Sequence, residues 1–313
     1  MIVHDIASLP TEGRGVHLAI GMFDGVHLGH QSVIETALHT ARRRGGIAAV
    51  LTFDPHPSRL FRPDSPTLMM LPPAIKARLL LSMGIDAVVI QPFTRELGSV
   101  PAPDFLGWLK ARQPALQSVS VGANFRFGQR RLGDIATLVE SSRAQGVAVF
   151  STPYLEVDGQ PVSSTRIRGL LAEGRVAEAN LLLGRNYSSC APVVPGRQLG
   201  RTLGFPTFNM EWSPELRPRA GVYAVLLRHP SGGILEGVAN YGSRPTLETP
   251  TPTPLLEVHC MRDPGPMPKD TPVQVDWIDF IRPELRFDSL DVLRQQIAAD
   301  KLEASIRLAR HRA

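Results

Sequence analysis

The sequence predicts an α/β chain in two parts, a parallel sheet covered by helices and then an antiparallel β-barrel with a terminal helix. Two observations carry this prediction. Up to about residue 155, apolar runs at 16–23, 46–53, 87–93, 118–124 and 147–151 alternate with helical patterns at 31–44, 74–83, 104–112 and 134–145. That alternation builds parallel strands with helices on both faces. After a helical stretch at 167–183 the pattern changes between 184 and 187, and short alternating runs follow at 190–195, 221–228, 234–240, 254–261 and 273–280. Separated by glycine and proline, they read as an antiparallel barrel. A helix over 289–310, with Leu290, Leu293, Ile297, Leu302, Ile306 and Leu308 as its apolar residues, closes it. At 313 residues two domains are expected, divided into 1–184 and 185–313.

The first strand runs into Gly21-Met22-Phe23-Asp24-Gly25-Val26-His27-Leu28-Gly29-His30, ahead of Val33, Ile34, Ala37, Leu38 and Ala41 at helical spacing. A helix start offers unpaired N–H groups and partial positive charge, which suits a phosphate. Gly25 and Gly29 are expected to allow positive φ and to let a ligand approach the backbone, and His27 and His30 lie one turn apart. No Walker-type glycine-lysine motif is present. Asp24, His27, His30 and His56 are also a candidate metal set, since imidazole ligates such ions readily. Both readings stand on these residues alone.

Further on, Val121-Gly122-Ala123-Asn124-Phe125-Arg126-Phe127-Gly128 ends a strand. Ser163, Ser164, Thr165, Arg166 and Arg168 place hydroxyls and guanidinium groups at another helix start, fit for phosphate oxygens or simply for capping. By sheet topology the 21–30 turn, the 52–57 segment and the 122–128 segment all fall at carboxyl ends of strands, where such sheets bind ligands. In the second half Gly200-Arg201-Thr202-Leu203-Gly204-Phe205-Pro206-Thr207-Phe208-Asn209 sets Thr207 and Asn209 two residues apart. On extended backbone they share a face and offer oxygens to a hard cation such as Mg²⁺. Alternation likewise sets Glu257 and His259 opposite Leu256 and Val258.

Composition narrows the class. The 43% hydrophobic content supports ordinary cores, and the net charge of +5 comes from dispersed basic residues, so no stable nucleic-acid partner is expected. Two cysteines, Cys190 and Cys260, are too few for a disulfide framework and read as free thiols. The chain lacks an apolar stretch of about 18 residues and a signal-peptide pattern, so a cytoplasmic location without membrane contact is expected. Homo-oligomerisation is not deducible.

These motifs resemble a known family. His-x-Gly-His is similar to the nucleotidyltransferase signature, and the longer Gly-x-Phe-Asp-Gly-x-His-x-Gly-His string resembles the bacterial bifunctional riboflavin kinase/FAD synthetase family. The 121–128, 162–168, 200–209, 237–246 and 256–259 segments follow that family's order. The resemblance implies a Rossmann-like nucleotidyltransferase sheet that adenylylates FMN to FAD, and a barrel that phosphorylates riboflavin to FMN. Its substrates are riboflavin, FMN and ATP, with Mg²⁺. By the same resemblance His27, His30 and Arg168 act in adenylyl transfer. Gly21, Phe23, Gly29, Asn124, Ser163, Ser164, Thr165, Gly200 and Gly204 contact nucleotide or flavin, Thr207 and Asn209 ligate magnesium, and Glu257 is the kinase base.

This sequence departs from the family at Phe208, where alanine is usual, at Ala123, at Ala191-Pro192 and over 263–271. These positions bear on flavin affinity and on loop closure over the kinase site. Two alternatives follow: a protein whose kinase is disabled, and a flavin-binding regulator that contacts RNA. The joint presence of His27, His30, Arg168, Thr207, Asn209 and Glu257 argues against the regulator.

Overall fold

The computed structural model describes residues 1–194, 207–230, 232–243, 254–263, 265 and 271–312. The chain divides into two compact units, Met1–Ser164 and Thr165–Ala313.

In the first unit β1 (Ile2–Val3), β2 (Val16–Ile20), β3 (Ile47–Asp54), β4 (Ala87–Pro92), β5 (Leu116–Gly122) and β6 (Ala148–Thr152) form one parallel sheet, ordered β1-β4-β3-β2-β5-β6. Every residue of β2 and the first six of β3 are buried, as strands covered on both faces must be. Helix α1 (Leu28–Arg44) packs through Val33, Ile34, Ala37 and Ala41. It stops at Gly45, whose φ of 63° gives the left-handed cap, with Arg42, Arg43 and Arg44 in its last turn. Helices α2 (Pro57–Phe61), α3 (Pro73–Ser82), α4 (Arg95–Gly98), α5 (Phe105–Arg112) and α6 (Ile135–Gln145) complete the layers. Leu106 and Leu109 of α5 and Leu138 of α6 join Leu18, Ile20, Leu51 and Val119 in one core.

The chain runs from β2 to β3 and β4 on one side of the sheet, then resumes with β5 on the other side of β2. The switch point therefore lies at the carboxyl ends of β2 and β5. Strands β1, β7 (Glu156–Val157) and β8 (Gln160–Pro161) have two residues each, too few to show an alternating pattern.

The helical stretch expected over 167–183 is two helices, α7 (Ser164–Glu173) and α8 (Val176–Leu183). Gly174, at φ 81°, breaks it. Strands β9 (Tyr187–Val194), β10 (Thr207–Glu211), β11 (Gly221–Arg228), β12 (Ile234–Ser243), β13 (Pro254–Cys260) and β14 (Pro272–Arg282) close into an antiparallel barrel ordered β10-β13-β12-β11-β14-β9. Aromatic rings cluster about its buried Trp277, with Tyr223 at 4.6 Å, Trp212 at 5.3 Å, Tyr241 at 5.5 Å and Tyr187 at 6.2 Å between centroids. The Trp277 indole N–H donates to Ser189 Oγ at 3.0 Å, which satisfies its one polar atom.

Helix α9 (Leu290–Arg312) covers the barrel with only part of the apolar set expected from sequence: Leu308 is buried and Leu293 and Ile297 are half-buried. Ala304 and Leu308 are buried against Ala224 and Ile278 and Asp300 is also buried, while Leu290, Leu302 and Ile306 are exposed. The 300, 304 and 308 positions fall on one stripe of the helix, and 302 and 306 fall off it. Polar anchoring fixes this choice: Arg282 donates to both carboxylate oxygens of Asp300 at 2.8 and 2.7 Å. Arg307 reaches Asp279 at 2.6 Å and Glu303 at 2.7 Å.

Removing one partner of a buried ion pair strands the other charge, at a cost of about 3–5 kcal/mol. Asp300→Ala is therefore expected to destabilise the barrel unit by about 3 kcal/mol, the lower end because Arg282 retains some solvent access, as read by denaturant unfolding. A second expectation concerns His17, fully buried on β2 with Nδ1 2.7 Å from Ser118 Oγ. Burial, aided by the charge of Arg44, holds its pKa below the ordinary value. The folded state thus takes up this proton less readily than the unfolded chain, so stability is full above about pH 6.5 and falls as the pH drops below it. His17→Gln should flatten that part of the pH–stability curve.

Candidate active sites

The 21–30 segment leaves β2 at the switch point and turns sharply before α1. Phe23, Gly25 and Val26 all adopt left-handed φ, at 49°, 80° and 44°. Glycine does so freely, whereas Phe23 and the β-branched Val26 are strained there. The turn's carbonyls are tied back into the protein. Met22 O accepts from Lys76 Nζ at 2.9 Å and Thr52 Oγ1 at 3.0 Å, Phe23 O from Val26 N–H at 3.1 Å, Asp24 O from Ser164 Oγ at 2.9 Å and Val26 O from Gln31 Nε2 at 3.0 Å. The Asp24 carboxylate accepts from the Met70 N–H at 3.0 Å.

His27 is the N-cap of α1, and its Nδ1 accepts from the His30 backbone N–H at 3.3 Å. A neutral His27 ring therefore carries its proton on Nε2. The two imidazoles stack, centroids 3.5 Å apart and 17° from parallel, and Phe23 meets the His30 ring edge-on at 5.3 Å. Gly29 is helical and does not use positive φ, contrary to the reading from sequence. Its constraint is space: a Cβ there would lie 3.3 Å from the His27 ring. At Gly21 a Cβ would lie 3.1 Å from the Phe23 ring. Asn124 sits just past β5, its Oδ1 3.2 Å from where a Cβ on Gly122 would stand.

Sequence reasoning missed Lys76. On α3 it is 2% exposed and donates to Met22 O and, at 2.8 Å, to Thr52 Oγ1. Burial lowers its pKa to about 8, opposed by the charges of Asp24 and Asp54. The signal was a lysine on the stripe that also buries Ala77 and Leu80.

The metal reading of the first site does not hold. Among the described residues no group of three or more His, Cys, Asp or Glu side chains is placed to hold an ion. Asp24 is turned to the Met70 amide, and His56 caps α2 with its Nδ1 2.7 Å from Ser58 Oγ. Ser163 and Ser164 end the first unit and Thr165 and Arg168 lie in the second. Ser164 braces the turn in addition to starting α7.

In the barrel, register assembles the second set. Asn209 on β10 faces Glu257 on β13, which in turn faces Asn240 on β12, while Thr207 faces His259. Directly opposed residues share a sheet face, so Thr207, Asn209, Asn240, Glu257 and His259 lie together, opposite the fully buried Met210, Ala239, Leu256 and Val258. Phe208 pairs with Val258 on the other face, away from these polar groups as alternation requires. Asn240 Nδ2 donates to Glu284 Oε1 at 3.4 Å. Two neutral oxygens on one face fit a magnesium ion that takes most of its ligands from nucleotide phosphates and water. Gly200 and Gly204, like 244–253 and 266–270, lie outside the described residues.

A helix start on a parallel sheet and a polar row on the outside of a barrel are arrangements suited to a nucleotide-handling transferase. The FAD synthetase family model matches residues 9–166 and the riboflavin kinase model residues 183–308. The bifunctional riboflavin kinase/FMN adenylyltransferase of Escherichia coli K12 is 36% identical over 302 residues, 96% of this chain and 95% of that protein. The protein of the same name from Bacillus subtilis strain 168 is 32% identical over 97% of this chain and 96% of its own length. A solved structure described as a macrolide-efflux protein from Streptococcus pneumoniae superposes with a TM-score of 0.84 at 27% identity, covering 97% of this chain and 98% of that one. Among the described residues no helix is long and apolar enough to cross a membrane. The chain belongs to the bifunctional riboflavin kinase/FMN adenylyltransferase family. It is an enzyme that carries riboflavin to FMN and FMN to FAD.

Gly29→Ala separates stability from activity. A helical alanine holds or raises stability by up to about 1 kcal/mol, while its methyl presses on the His27 ring. With His27 in the adenylyl-transfer role that the family resemblance implies, FAD formation from FMN is expected to fall about tenfold or more, because small misplacements at a reacting centre are costly. Thermal unfolding and initial rates on the same preparation check both halves.

Proposed function

We propose that FMN is adenylylated at the 21–30 turn and riboflavin is phosphorylated on the outward barrel face, the work dividing at 184/185 between residues 1–184 and 185–313. The observation that carries the first assignment is the His27 cap of α1 with the His30 ring stacked on it at the switch point. The FMN phosphate is already ionised, so it attacks the α-phosphorus of ATP without a base, and pyrophosphate leaves. What the site supplies is charge stabilisation. His27 and His30 donate to the α-phosphate, Arg168 neutralises the departing pyrophosphate, and Ser163, Ser164 and Thr165 hold phosphate oxygens. Gly21, Phe23 and Gly29 shape the turn for the nucleotide, and Asn124 contacts nucleotide or flavin from the end of β5.

The kinase step differs because the ribityl hydroxyl must lose a proton as it attacks the γ-phosphorus of ATP, where the bond to the β,γ-bridging oxygen breaks and ADP leaves. Glu257 takes that proton, a general-base contribution of roughly 10²- to 10⁴-fold. Thr207 and Asn209 are the residues that hold Mg²⁺, and Gly200 and Gly204 complete the nucleotide site. When bound, the ion neutralises phosphate charge. The register that places Asn209 opposite Glu257 supports this pairing of ligand and base. The co-substrate is ATP with magnesium, and the assigned compartment is the cytoplasm.

Chromatography of products from riboflavin, ATP and Mg²⁺ tests the reading. Glu257→Gln is expected to lose FMN formation by about 10²-fold or more while still converting supplied FMN. His30→Ala should accumulate FMN, with FAD formation down about 10²- to 10³-fold. A His30→Ala protein that makes FAD at the normal rate, or a Glu257→Gln protein that makes FMN at the normal rate, overturns the corresponding assignment.

A further inference from the structure

We propose that Lys76 is a positioning residue for adenylyl transfer, a buried amine that fixes the Met22 carbonyl and with it the strained turn presenting His27 and His30. The inference rests on the assignment of that turn to FMN adenylylation.

The turn cannot hold its own shape. Phe23 and Val26 sit at φ 49° and 44°, and such conformations persist only where the surroundings over-determine them. The bonds that do so come from different elements: Thr52 from β3, Ser164 from the start of α7, Gln31 from α1 and Lys76 from α3. Lys76 is the charged donor of the set, and it makes two linked contacts. Its Nζ donates to Met22 O at 2.9 Å and to Thr52 Oγ1 at 2.8 Å, and that hydroxyl donates to Met22 O at 3.0 Å. Since the peptide is planar and trans, holding the Met22 carbonyl inward sends the Phe23 N–H the opposite way. Lys76 therefore sets the first peptide plane of the turn, and Phe23 in turn edges the His30 ring.

Packing alone does not account for a lysine here. It lies on the α3 stripe with Ala77 and Leu80 at 2% exposure, where an apolar side chain would avoid the desolvation of an ammonium. The charge is useful at this place because an anion received by the turn gains from a cation behind it. Asp24 and Asp54 are the carboxylates that act on it, and Asp24, itself 2% exposed, is already committed to the Met70 amide.

The test uses the full-length protein with FMN, ATP and Mg²⁺. For Lys76→Met, kcat for FAD formation should fall about 30- to 100-fold, with the KM for FMN within about threefold of wild type. That pattern marks an interaction expressed in the transition state and not in substrate binding. Riboflavin phosphorylation should be unchanged, and the first unit should melt no earlier than wild type, because a desolvated charge has been removed. FAD formation within about threefold of wild type overturns the proposal, as does a loss confined to KM. If Lys76→Met does not fold, Thr52→Val removes the bridging hydroxyl. It is expected to lower kcat about fivefold, and an unaltered rate again overturns the proposal. His30→Ala is measured beside them. An inactive His30→Ala with a normal Lys76→Met rejects only the role of Lys76, whereas a fully active His30→Ala rejects the site itself.

Discussion

The 22–27 turn is the constraint on which the start of α1 depends. Left-handed backbone at Phe23 and Val26 costs of order 1–3 kcal/mol at each residue, and a short loop has no means of its own to sustain that. The parallel sheet provides the rigid frame. Strand β2 is buried along its whole length, the Gly21 N–H is tied to Leu51 O at 3.1 Å, and Thr52 and Lys76 rise beneath the turn from β3 and α3. The strain has a product: it brings the chain into α1 with His27 as the cap and His30 stacked upon it. A more relaxed connection would start the helix without placing both rings at its positive end.

The barrel solves a different problem by register. Its interior is filled with aromatic and aliphatic side chains around Trp277, so the polar groups of alternate residues are sent outward. Part of the outer surface is closed by α9, anchored through the bidentate Arg282–Asp300 pair. Strands β10, β13 and β12 carry Asn209, Glu257 and Asn240 as one row. A one-residue slip would turn every member of that row inward, so closure of the barrel and the site's composition are the same constraint.

Much of this was legible in the sequence because it rests on local pattern. Apolar strands alternating with helical spacing announced the parallel sheet, and glycine and proline between short alternating runs announced the barrel. The His-x-Gly-His string marked the helix start, and the i, i+2 spacing of Thr207 and Asn209 marked a shared face. Local pattern failed where the deciding partner is distant. Of the apolar residues read on α9, Leu308 packs while Leu290, Leu302 and Ile306 stay exposed, because Arg282, 18 residues before Asp300, selects the face that packs. Gly29 read as a conformational glycine until the position of the His27 ring showed that space is what it supplies.

The sequence by itself determined the kinds of element, their order and the chemical groups each carries, because periodicity, capping and turn chemistry act over a few residues. Tertiary structure alone decided which groups meet. Lys76 lies 54 residues from Met22 and Ser164 lies 140 from Asp24, and Glu257 finds Asn209 only through strand pairing. Hydrogen bonding and burial act through space, and no pattern along the chain encodes a distance across it.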